Sequence, residues 1–242
     1  MSLDLNGAGA AARELVALDL IRTDVLPPLR TRTIDSLRTP FAAGLRRVYD
    51  IHVHGASNVP ARGPVILAAN HIGTLDGPLL VALNRRSLAL AKAELFTSKV
   101  GPLLHLAGQI PVDRTHHDVR AVRRCVQVLQ QGRPLAIFPE GLRGRGDMTQ
   151  IRPGVAYLAM VTGAPIVPVA ILGTRLPGAG IRSTPPAGSP FHIVYGDVVH
   201  IPAREWPRRK TDVAEVTNEL SAIFADHVRW AELKTGMRLP AV

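Results

Sequence analysis

The sequence predicts a single α/β domain, with a mostly parallel or mixed β-sheet flanked by helices and with an N-terminal helical segment. Two observations support this fold class. The chain has 242 residues, of which 46% are hydrophobic, so it can form one large domain with a sizeable core. Short apolar runs typical of buried strands alternate with segments in which apolar residues recur at helical spacing. We place the helical segment at residues 1–48 and the domain at residues 49–242.

Two helices are predicted before the first strand. Residues 11–25 carry apolar residues at helical spacing, and Pro27 and Pro28 end that helix. A second helix is predicted to begin at Pro40, with Thr39 as its N-cap. The arginines beside its apolar stripe could lie on an anionic membrane surface. The alternative is a helix that packs on its own domain and leaves its arginines in water.

The rest of the chain alternates strands and helices. Strands are predicted at residues 50–54, 65–68, 87–91, 135–138, 166–172 and, as one or two strands, within 191–201. Helices are predicted at residues 79–83, 95–106, 118–131, 153–161 and 212–234. Pro168 lies within the strand at residues 166–172, which indicates an edge strand or a bulge, because proline cannot donate to a sheet.

The composition is strongly basic. Lys and Arg number 29 against 19 Asp and Glu, a net charge of +10, which favours anionic partners such as nucleic acid, an acidic lipid surface or a phosphorylated substrate. Aromatic residues make up only 4% of the chain, too few for the platforms on which bases stack, so we expect no nucleic-acid partner. A generic charge that keeps the protein soluble is the alternative interpretation.

Cysteine content and hydropathy further restrict the kind of protein and the kinds of site that are expected. The single cysteine, Cys125, excludes an intrachain disulfide and a cysteine-based zinc site, and it is expected to be a small buried apolar residue. No run reaches the roughly 18 consecutive apolar residues of a membrane span. The sequence shows no clustered metal ligands, so no metal site is expected. We therefore expect a cytoplasmic protein.

Residues 69–78 connect a predicted buried strand to a predicted helix, and α/β folds place ligands at such junctions. This stretch contains His71 and Asp76. On a continuous helix, two side chains five positions apart would point roughly 140° away from each other. They can meet if a turn precedes the helix and Asp76 opens it. Gly73 permits the unusual backbone angles of such a turn, and Pro78 is tolerated only in a first helical turn.

A histidine held in this way by a carboxylate could act as a base. If Asp76 accepts a hydrogen bond from one ring nitrogen of His71, the other nitrogen can take a proton. The N-terminus of a helix favours the negative charge of Asp76. The pair has no nucleophile of its own, so it suits a reaction in which a substrate hydroxyl attacks. The alternative is a capping aspartate beside a histidine that only fills a turn, since so short a pattern recurs by chance.

Further polar residues lie at other junctions between predicted elements. Arg114 precedes the helix at residues 118–131, and Glu140 and Gly141 follow the strand at residues 135–138, with Arg143 and Arg145 close behind. Arginine forks bind phosphate oxygens in pairs, so two that converge could hold a phosphate. The glutamate could accept a hydrogen bond from a substrate hydroxyl or hold the arginines in place. A flexible basic loop and an arginine paired only at the surface are the alternatives.

Four short motifs occur in order along the chain. They are Asn70-His71-x4-Asp76, Gly108-x-Ile-Pro-Val-Asp-Arg114, Phe138-Pro139-Glu140-Gly141 and Val167-Pro168-Val169. Their order and spacing resemble the four motifs of the glycerolipid acyltransferases, the lysophosphatidic acid acyltransferase family. The resemblance covers about residues 50–200, and the four motifs in order are far more specific than any one of them. Residues 91–96 also resemble a lysine-bearing segment that the family has between its first two motifs.

The resemblance implies an enzyme that transfers a fatty acyl group from acyl-CoA to a hydroxyl of a lysophospholipid, typically the sn-2 hydroxyl of 1-acylglycerol-3-phosphate. It implies that His71 is the general base and Asp76 its partner. A thioester is already activated and its thiolate leaves readily, so no covalent nucleophile on the enzyme is needed. No cofactor is implied. The donor, acyl-CoA or an acyl carrier protein, is a co-substrate.

The resemblance also implies binding roles for residues outside the first motif. It assigns acceptor binding to Arg114, Glu140 and Gly141, with Arg143 nearby, and it suggests that Lys92 assists near the thioester. The strand around Pro168 would shape the acyl or acceptor site. The third motif departs from the family, in which Thr, Arg and Ser often follow; here residues 142–144 are Leu, Arg and Gly. This departure leaves the acceptor headgroup open.

The expected partners are an acyl donor, a lysophospholipid acceptor and an anionic membrane surface. The region before His71 lacks the long hydrophobic anchor of many relatives, so we expect a peripheral protein on the cytoplasmic face of the membrane. Two alternatives stay open. One is transfer to another acceptor, such as glycerol-3-phosphate, another lysophospholipid or a glycolipid. The other is a protein that binds acidic lipid without catalysis.

Overall fold

The computed structural model describes residues 23–29, 31–115 and 118–240. Its helices are α1 (Arg32–Val48), α2 (Asp76–Leu83), α3 (Gly101–Leu106), α4 (Val119–Gln130), α5 (Gly154–Thr162) and α6 (Lys210–Thr235). Its strands are β1 (Asp50–His54), β2 (Val65–Ala69), β3 (Leu88–Lys92), β4 (Ile110–Val112), β5 (Pro134–Ile137), β6 (Ile166–Leu172) and β7 (Pro190–Tyr195). Most of the helix predicted at residues 11–25 lies outside the described residues, and residues 24 and 25 form a turn. Within the described ranges, no helix is long and apolar enough to cross a membrane.

The seven strands form one sheet in the order β1-β7-β6-β2-β5-β3-β4. Strands β6, β2, β5, β3 and β4 run parallel to one another, whereas β7 is antiparallel to β6 and parallel to β1. The predicted α/β class with a mostly parallel, mixed sheet is therefore confirmed. The five parallel strands end at one edge of the sheet, which we call the carboxyl edge. The loops that follow them lie together along this edge.

The sheet separates two hydrophobic cores. Every residue of β2 and β6 is buried, and alternate residues of β2 point to opposite faces. Ile66 belongs to the core that β2 shares with α4, α5 and α6. Leu67 belongs to the core on the other face, with Leu79 and Leu80 of α2. Because these central strands are covered on both faces, they read in the sequence as continuous apolar runs.

The prediction for the start of α1 was wrong. The helix begins at Arg32 rather than at Pro40, which lies inside it, and Thr39 is not its N-cap. The turns before the proline are fixed by tertiary contacts. Arg38 is buried, and its guanidinium donates hydrogen bonds to the backbone carbonyl oxygens of Asn84 and Ser87, both at 2.8 Å. Such contacts across the fold outweigh the local preference that proline has for a first turn.

The single helix predicted at residues 95–106 was also wrong. A short 3-10 helix (Ala93–Thr97) is followed by a separate helix, α3. The chain doubles back so tightly between them that a Cβ atom on Gly101 would lie 2.0 Å from the carbonyl oxygen of Phe96. Pro102 sits at the start of α3, where its missing N–H costs nothing. The other predicted elements that lie within the described residues are present, most with ends shifted by one or two residues.

Strand β6 is central in the sheet, so the interpretation of Pro168 as an edge residue was wrong. The alternative, a bulge, is what the structure contains. The pairing of β6 with the chain around β7 shifts by one residue between the Val169–Tyr195 pair and the Ile166–Val199 bridge. Ile166 exchanges both backbone hydrogen bonds with Val199. The backbone nitrogen two positions further on points the same way, so the missing N–H of the proline falls where the pairing is already interrupted.

Candidate active site

The turn between β2 and α2 brings His71 and Asp76 together. Helix α2 begins at Asp76, as predicted, and the aspartate is fully buried. Its Oδ2 atom lies 2.7 Å from Nδ1 of His71. The same oxygen accepts hydrogen bonds from the backbone N–H groups of Ile72, at 2.7 Å, and Gly73, at 2.8 Å. These contacts fold the intervening residues into a turn around the carboxylate.

The other oxygen of Asp76 has a partner that the sequence did not indicate. Thr174, two residues beyond β6, is fully buried, and its hydroxyl donates to Oδ1 at 2.5 Å. A hydroxyl that donates to a carboxylate makes a short, strong hydrogen bond of this kind. The only available signal was a polar residue after a buried strand. The two oxygens thus accept four hydrogen bonds, which offsets the cost of burying the charge.

Gly73 is required for a different reason from the one predicted. Its φ is not positive, so no special backbone angle demands glycine. Instead, a Cβ atom at this position would lie 2.4 Å from the carbonyl oxygen of Thr174. The glycine therefore allows the turn to approach the chain that leaves β6, and this approach places the threonine hydroxyl on the carboxylate of Asp76.

The geometry selects one tautomer of the neutral His71 ring. A carboxylate only accepts hydrogen bonds, so Nδ1 of His71 donates to Asp76, and the lone pair of the neutral ring lies on Nε2. The ring stacks on Phe138, which follows β5, with 4.2 Å between ring centroids. The side chain is 20% exposed, so part of the ring reaches solvent. This arrangement can take a proton from a molecule that approaches from the carboxyl edge.

Asn70 and Glu140 hold the backbone on either side of this ring. Asn70, the first residue of the motif, is buried and exchanges hydrogen bonds with the backbone N–H and carbonyl of Ile171, at 2.7 and 3.1 Å. Its side chain thereby extends the pairing of β2 with β6 beyond the end of β2. Glu140 accepts a hydrogen bond from the backbone N–H of His71 at 2.8 Å. The glutamate thus links the loop after β5 to the turn that carries His71.

Glu140 is unusual for a carboxyl group. Burial raises its pKa to about 7, although hydrogen bonds from the backbone N–H groups of His71, Met148 and Gly146 oppose the rise. The negative charge of Asp147 adds to it. Glu140 therefore changes between its neutral and charged forms near neutral pH.

Three arginines gather beside this junction. The guanidinium of Arg114 donates to the carbonyl oxygen of Gly141, which joins the loop after β4 to the loop after β5. Burial and the charges of Arg152 and Arg143 lower the pKa of Arg114, while Glu94 opposes this. Like charges held this close favour an anion between them, and phosphate suits the guanidinium fork.

Arg152 was not predicted as a site residue from the sequence. It belongs to the Gly- and Arg-rich loop after β5, and that composition was the only available signal. Gly141 has a φ of +74°, and a Cβ atom on it would lie 2.4 Å from Nε of Arg152. The glycine therefore lets the arginine side chain lie across the backbone that Arg114 also contacts.

The remaining predicted site residues lie on the same edge of the sheet. Arg143 donates to the carbonyl oxygen of Ile181 at 3.2 Å, which ties the loops after β5 and β6 together. Arg145 is strongly exposed and pairs with Asp147 at 3.0 Å. Lys92 ends β3, which β5 separates from β2, and it pairs with its neighbour Glu94. Over the described part of the chain, no group of three or more His, Cys, Asp or Glu residues could hold a metal ion.

Residues 50–172, just over half of the chain, match the family described as Acyltransferase. The chain belongs to this acyltransferase family. The matched segment runs from β1 to the end of β6, so it contains the dyad, Arg114 and Glu140. Thr174 lies two residues beyond its end.

Individual acyltransferases agree with this assignment. The chain is similar to a 1-acyl-sn-glycerol-3-phosphate acyltransferase of Bacillus subtilis, with 27% identity over 187 residues that cover 72% of this chain and 91% of that protein. A chloroplastic 1-acyl-sn-glycerol-3-phosphate acyltransferase of Brassica napus is 28% identical over 155 residues, 62% of this chain. The match spans 43% of the Brassica protein and 37% of a chloroplastic relative from Arabidopsis thaliana.

A solved structure has the same fold. The 1-acyl-sn-glycerophosphate acyltransferase PlsC of Thermotoga maritima superposes with a TM-score of 0.53. The match covers 90% of this chain and 82% of that one, at 21% sequence identity. The acyltransferase domain described above is therefore an α/β architecture that a crystallised relative shares.

Proposed function

We propose that this acyltransferase transfers a fatty acyl group from acyl-CoA to the sn-2 hydroxyl of 1-acylglycerol-3-phosphate. One observation carries the proposal. Nδ1 of His71 lies 2.7 Å from the carboxylate of Asp76, which leaves Nε2 as a base on a ring that solvent can reach. The printed names of the relatives from Bacillus and Brassica support the choice of acceptor.

The reaction would need only one base. Nε2 of His71 takes the hydroxyl proton while the hydroxyl oxygen attacks the carbonyl carbon of the thioester. The tetrahedral intermediate then collapses, the C–S bond breaks, and the imidazolium returns its proton to the departing thiolate. Asp76 stabilises the imidazolium that forms between these steps. A general base of this kind contributes about 10²–10⁴ in rate.

The arginines at the carboxyl edge would hold the acceptor. Arg114 and Arg143 are proposed to bind its phosphate, with Gly141 allowing close approach and Glu140 fixing the turn that carries His71. Such fixed binding keeps the sn-2 hydroxyl at the base, and this positioning contributes to the rate. Lys92, on the same edge, is proposed to assist near the thioester.

The site of action is proposed to be an anionic membrane surface on its cytoplasmic face. A net charge of +10 supports binding to acidic lipid, and the acceptor itself is an anionic lipid. The donor could be presented by CoA or by an acyl carrier protein, and the two are told apart by assaying both thioesters.

An assay of thiol release tests the proposal. Purified protein is given one acyl-CoA together with 1-acylglycerol-3-phosphate, glycerol-3-phosphate or a lysophospholipid with a larger headgroup. We expect release that depends on 1-acylglycerol-3-phosphate and that His71→Ala abolishes, while His200→Ala, an exposed histidine, behaves as wild type. A lipid-binding protein without catalysis would free no thiol. Release without an acceptor would indicate hydrolysis, and a preference for another acceptor would correct the substrate.

A further inference from the structure

Two loops at the carboxyl edge carry large apolar side chains that point into solvent. Leu142, in the loop after β5, is 58% exposed, and Leu176 and Ile181, in the loop after β6, are 41% and 50% exposed. Exposure of one such residue is ordinary, whereas three on neighbouring loops need an explanation. With Arg143 and Arg182, which directly follow Leu142 and Ile181 in the sequence, we call these five residues the loop rim.

The two loops form one surface beside the active site. Arg143 donates to the carbonyl oxygen of Ile181, and Arg175 donates to that of Gly144 at 2.9 Å, so the loops are bonded to each other twice. The backbone N–H of Gly144 also donates to the carbonyl oxygen of His71 at 2.9 Å. The loop rim is therefore continuous with the turn that carries His71.

The loop rim is positively charged. It contains Arg143 and Arg182 and no acidic residue, whereas the nearby Arg145 is paired with Asp147. Aliphatic side chains between arginines suit the boundary of an anionic bilayer, where the apolar groups enter the acyl region and the guanidinium groups meet lipid phosphates. The acceptor in the proposed function is itself an anionic lipid, which favours a bilayer over an acidic protein partner.

We infer that the loop rim docks this protein on a bilayer that contains anionic lipid, with the carboxyl edge of the sheet facing the lipid. The inference rests on the proposed function, in which the acceptor is a lipid. Moving the long acyl chain of an acceptor from the bilayer into water has a large free-energy cost. A docked rim next to His71 allows the headgroup to reach the base while the acyl chain stays in the bilayer.

Sedimentation with vesicles tests this inference on the full chain. Vesicles of phosphatidylcholine alone are compared with vesicles that also contain phosphatidylglycerol. Arg182→Gln is expected to weaken binding to the anionic vesicles about fivefold, the effect of one basic residue near such a surface. The control is Arg62→Gln, which removes the same charge from an exposed loop before β2, at the opposite edge of the sheet. It should bind as wild type does.

The apolar residues of the loop rim are tested with a second pair of variants, one in the rim and one control. Ile181→Ser is expected to weaken binding about tenfold or more, because an aliphatic side chain leaves the acyl region. Val25→Ser is the control, since Val25 is equally exposed and lies in the turn that contacts Gln130 at the end of α4, away from the carboxyl edge. Equal losses in the rim and control variants, or none in either rim variant, would overturn the inference.

Three further outcomes are decisive. Loss of binding only in Phe41→Ser, at an exposed position of α1, would assign docking to that helix instead. Binding to acyl carrier protein that the rim variants lose, without vesicle binding by the wild type, would assign the rim to a protein partner. Thiol release with a water-soluble short-chain acceptor is measured in parallel. If neither the wild type nor any variant releases thiol, but the rim variants lose vesicle binding, the docking inference is supported and the proposed function is wrong.

Discussion

Thr174 donates a 2.5 Å hydrogen bond to Oδ1 of Asp76, and its carbonyl oxygen packs against Gly73. The residue that follows β6 thus completes the setting of a carboxylate that opens α2. Asp76 in turn orients the His71 ring through Oδ2. Thr174 therefore acts on His71, the proposed base, through Asp76, as a positioning residue rather than as a group that meets substrate.

Replacing Thr174 with valine should impair the dyad without changing the shape of the site. One oxygen of a buried carboxylate loses its hydrogen bond, which we expect to cost about 1–3 kcal/mol in the free energy of unfolding. Thiol-release kinetics should show kcat lowered about tenfold or more, with KM for the acceptor little changed. Thr174→Ser restores the hydroxyl and should recover most of kcat. A valine variant with the kinetics of the wild type would remove Thr174 from the catalytic arrangement.

Asp76→Asn separates the charge of the carboxylate from its hydrogen bonds. An amide oxygen in place of Oδ2 can accept from His71, Ile72 and Gly73, and the amide NH₂ group can donate to the Thr174 hydroxyl. The melting temperature should therefore stay close to that of the wild type. The negative charge that stabilises the imidazolium is lost, so kcat should fall about 10- to 100-fold.

The double variant Asp76→Asn/Thr174→Ser is the control for that prediction, because it keeps every hydrogen bond of the single variant. It should unfold at nearly the same temperature as Asp76→Asn. In Asp76→Asn/Thr174→Val, the buried NH₂ group loses its acceptor, and the melting temperature should drop. If Asp76→Asn transferred acyl groups as fast as the wild type, the charge would have no part in the reaction.

The sequence could predict the dyad because its constraints are local. Pro78 favours a first helical turn, and within the described part of the chain no tertiary contact overrides that preference as it does at Pro40, so the start of α2 near Asp76 was indicated by the chain itself. The contact of Asp76 with Thr174 depends instead on β6 lying beside β2, and strands so far apart in sequence carry no local sign of their order. The same is true of Arg152, whose position depends on how the long loop after β5 folds back over Gly141.

The same distinction between local constraints and tertiary contacts applies to the fold. Strands β2 and β6 were predicted from their apolar runs, because short continuous runs of apolar residues are typical of strands buried on both faces. The start of α1 was not, because the burial of Arg38 against the carbonyl groups that follow α2 is a tertiary contact. The central position of Pro168 likewise depends on a bulge that the partner strand creates.

Gly73→Ala should destabilise the protein although alanine suits the backbone angles. The added methyl group would lie 2.4 Å from the carbonyl oxygen of Thr174, so the turn and the chain after β6 must separate. We expect a loss of about 1–3 kcal/mol in the free energy of unfolding, measured with urea. Gly44→Ala is the matched control, because no atom lies within 4 Å of the new methyl group on α1. It should stabilise by about 0.5–1 kcal/mol.

Arg152→Gln should weaken acceptor binding more than it slows chemistry. It removes one charge from the group that includes Arg114 and Arg143, so KM for a phosphate-bearing acceptor should rise about tenfold, the effect of a charged hydrogen bond. The acyl-CoA KM should change less. Arg145→Gln is the control, since its charge is already paired with Asp147 at the surface. Similar effects of the two substitutions would point to a general loss of positive charge.

Glu140 makes stability depend on pH in a direction opposite to that of an ordinary paired carboxylate. Its pKa is about 7 in the folded protein against an ordinary value of 4.5, so the folded state holds this proton more tightly than the unfolded state does. The stabilisation is full below pH 4.5 and is lost as pH rises to about 7. The total is on the order of 3 kcal/mol before solvent screening, and less after it.

Glu140→Gln should flatten this part of the pH profile, because the amide oxygen can still accept from the backbone N–H of His71 but cannot titrate. Unfolding by urea is measured between pH 4.5 and 7.5 for both proteins, and the difference between them isolates the glutamate. Burial acts to raise the pKa of Asp147, but hydrogen bonds from Thr149 and the charge of Arg145 lower it overall, so Asp147 itself does not titrate in this window. Its negative charge contributes to the raised pKa of Glu140, so Asp147→Asn should keep the slope but shift it to lower pH. If the slopes of wild type and Glu140→Gln were parallel, Glu140 would already be ionised throughout the range.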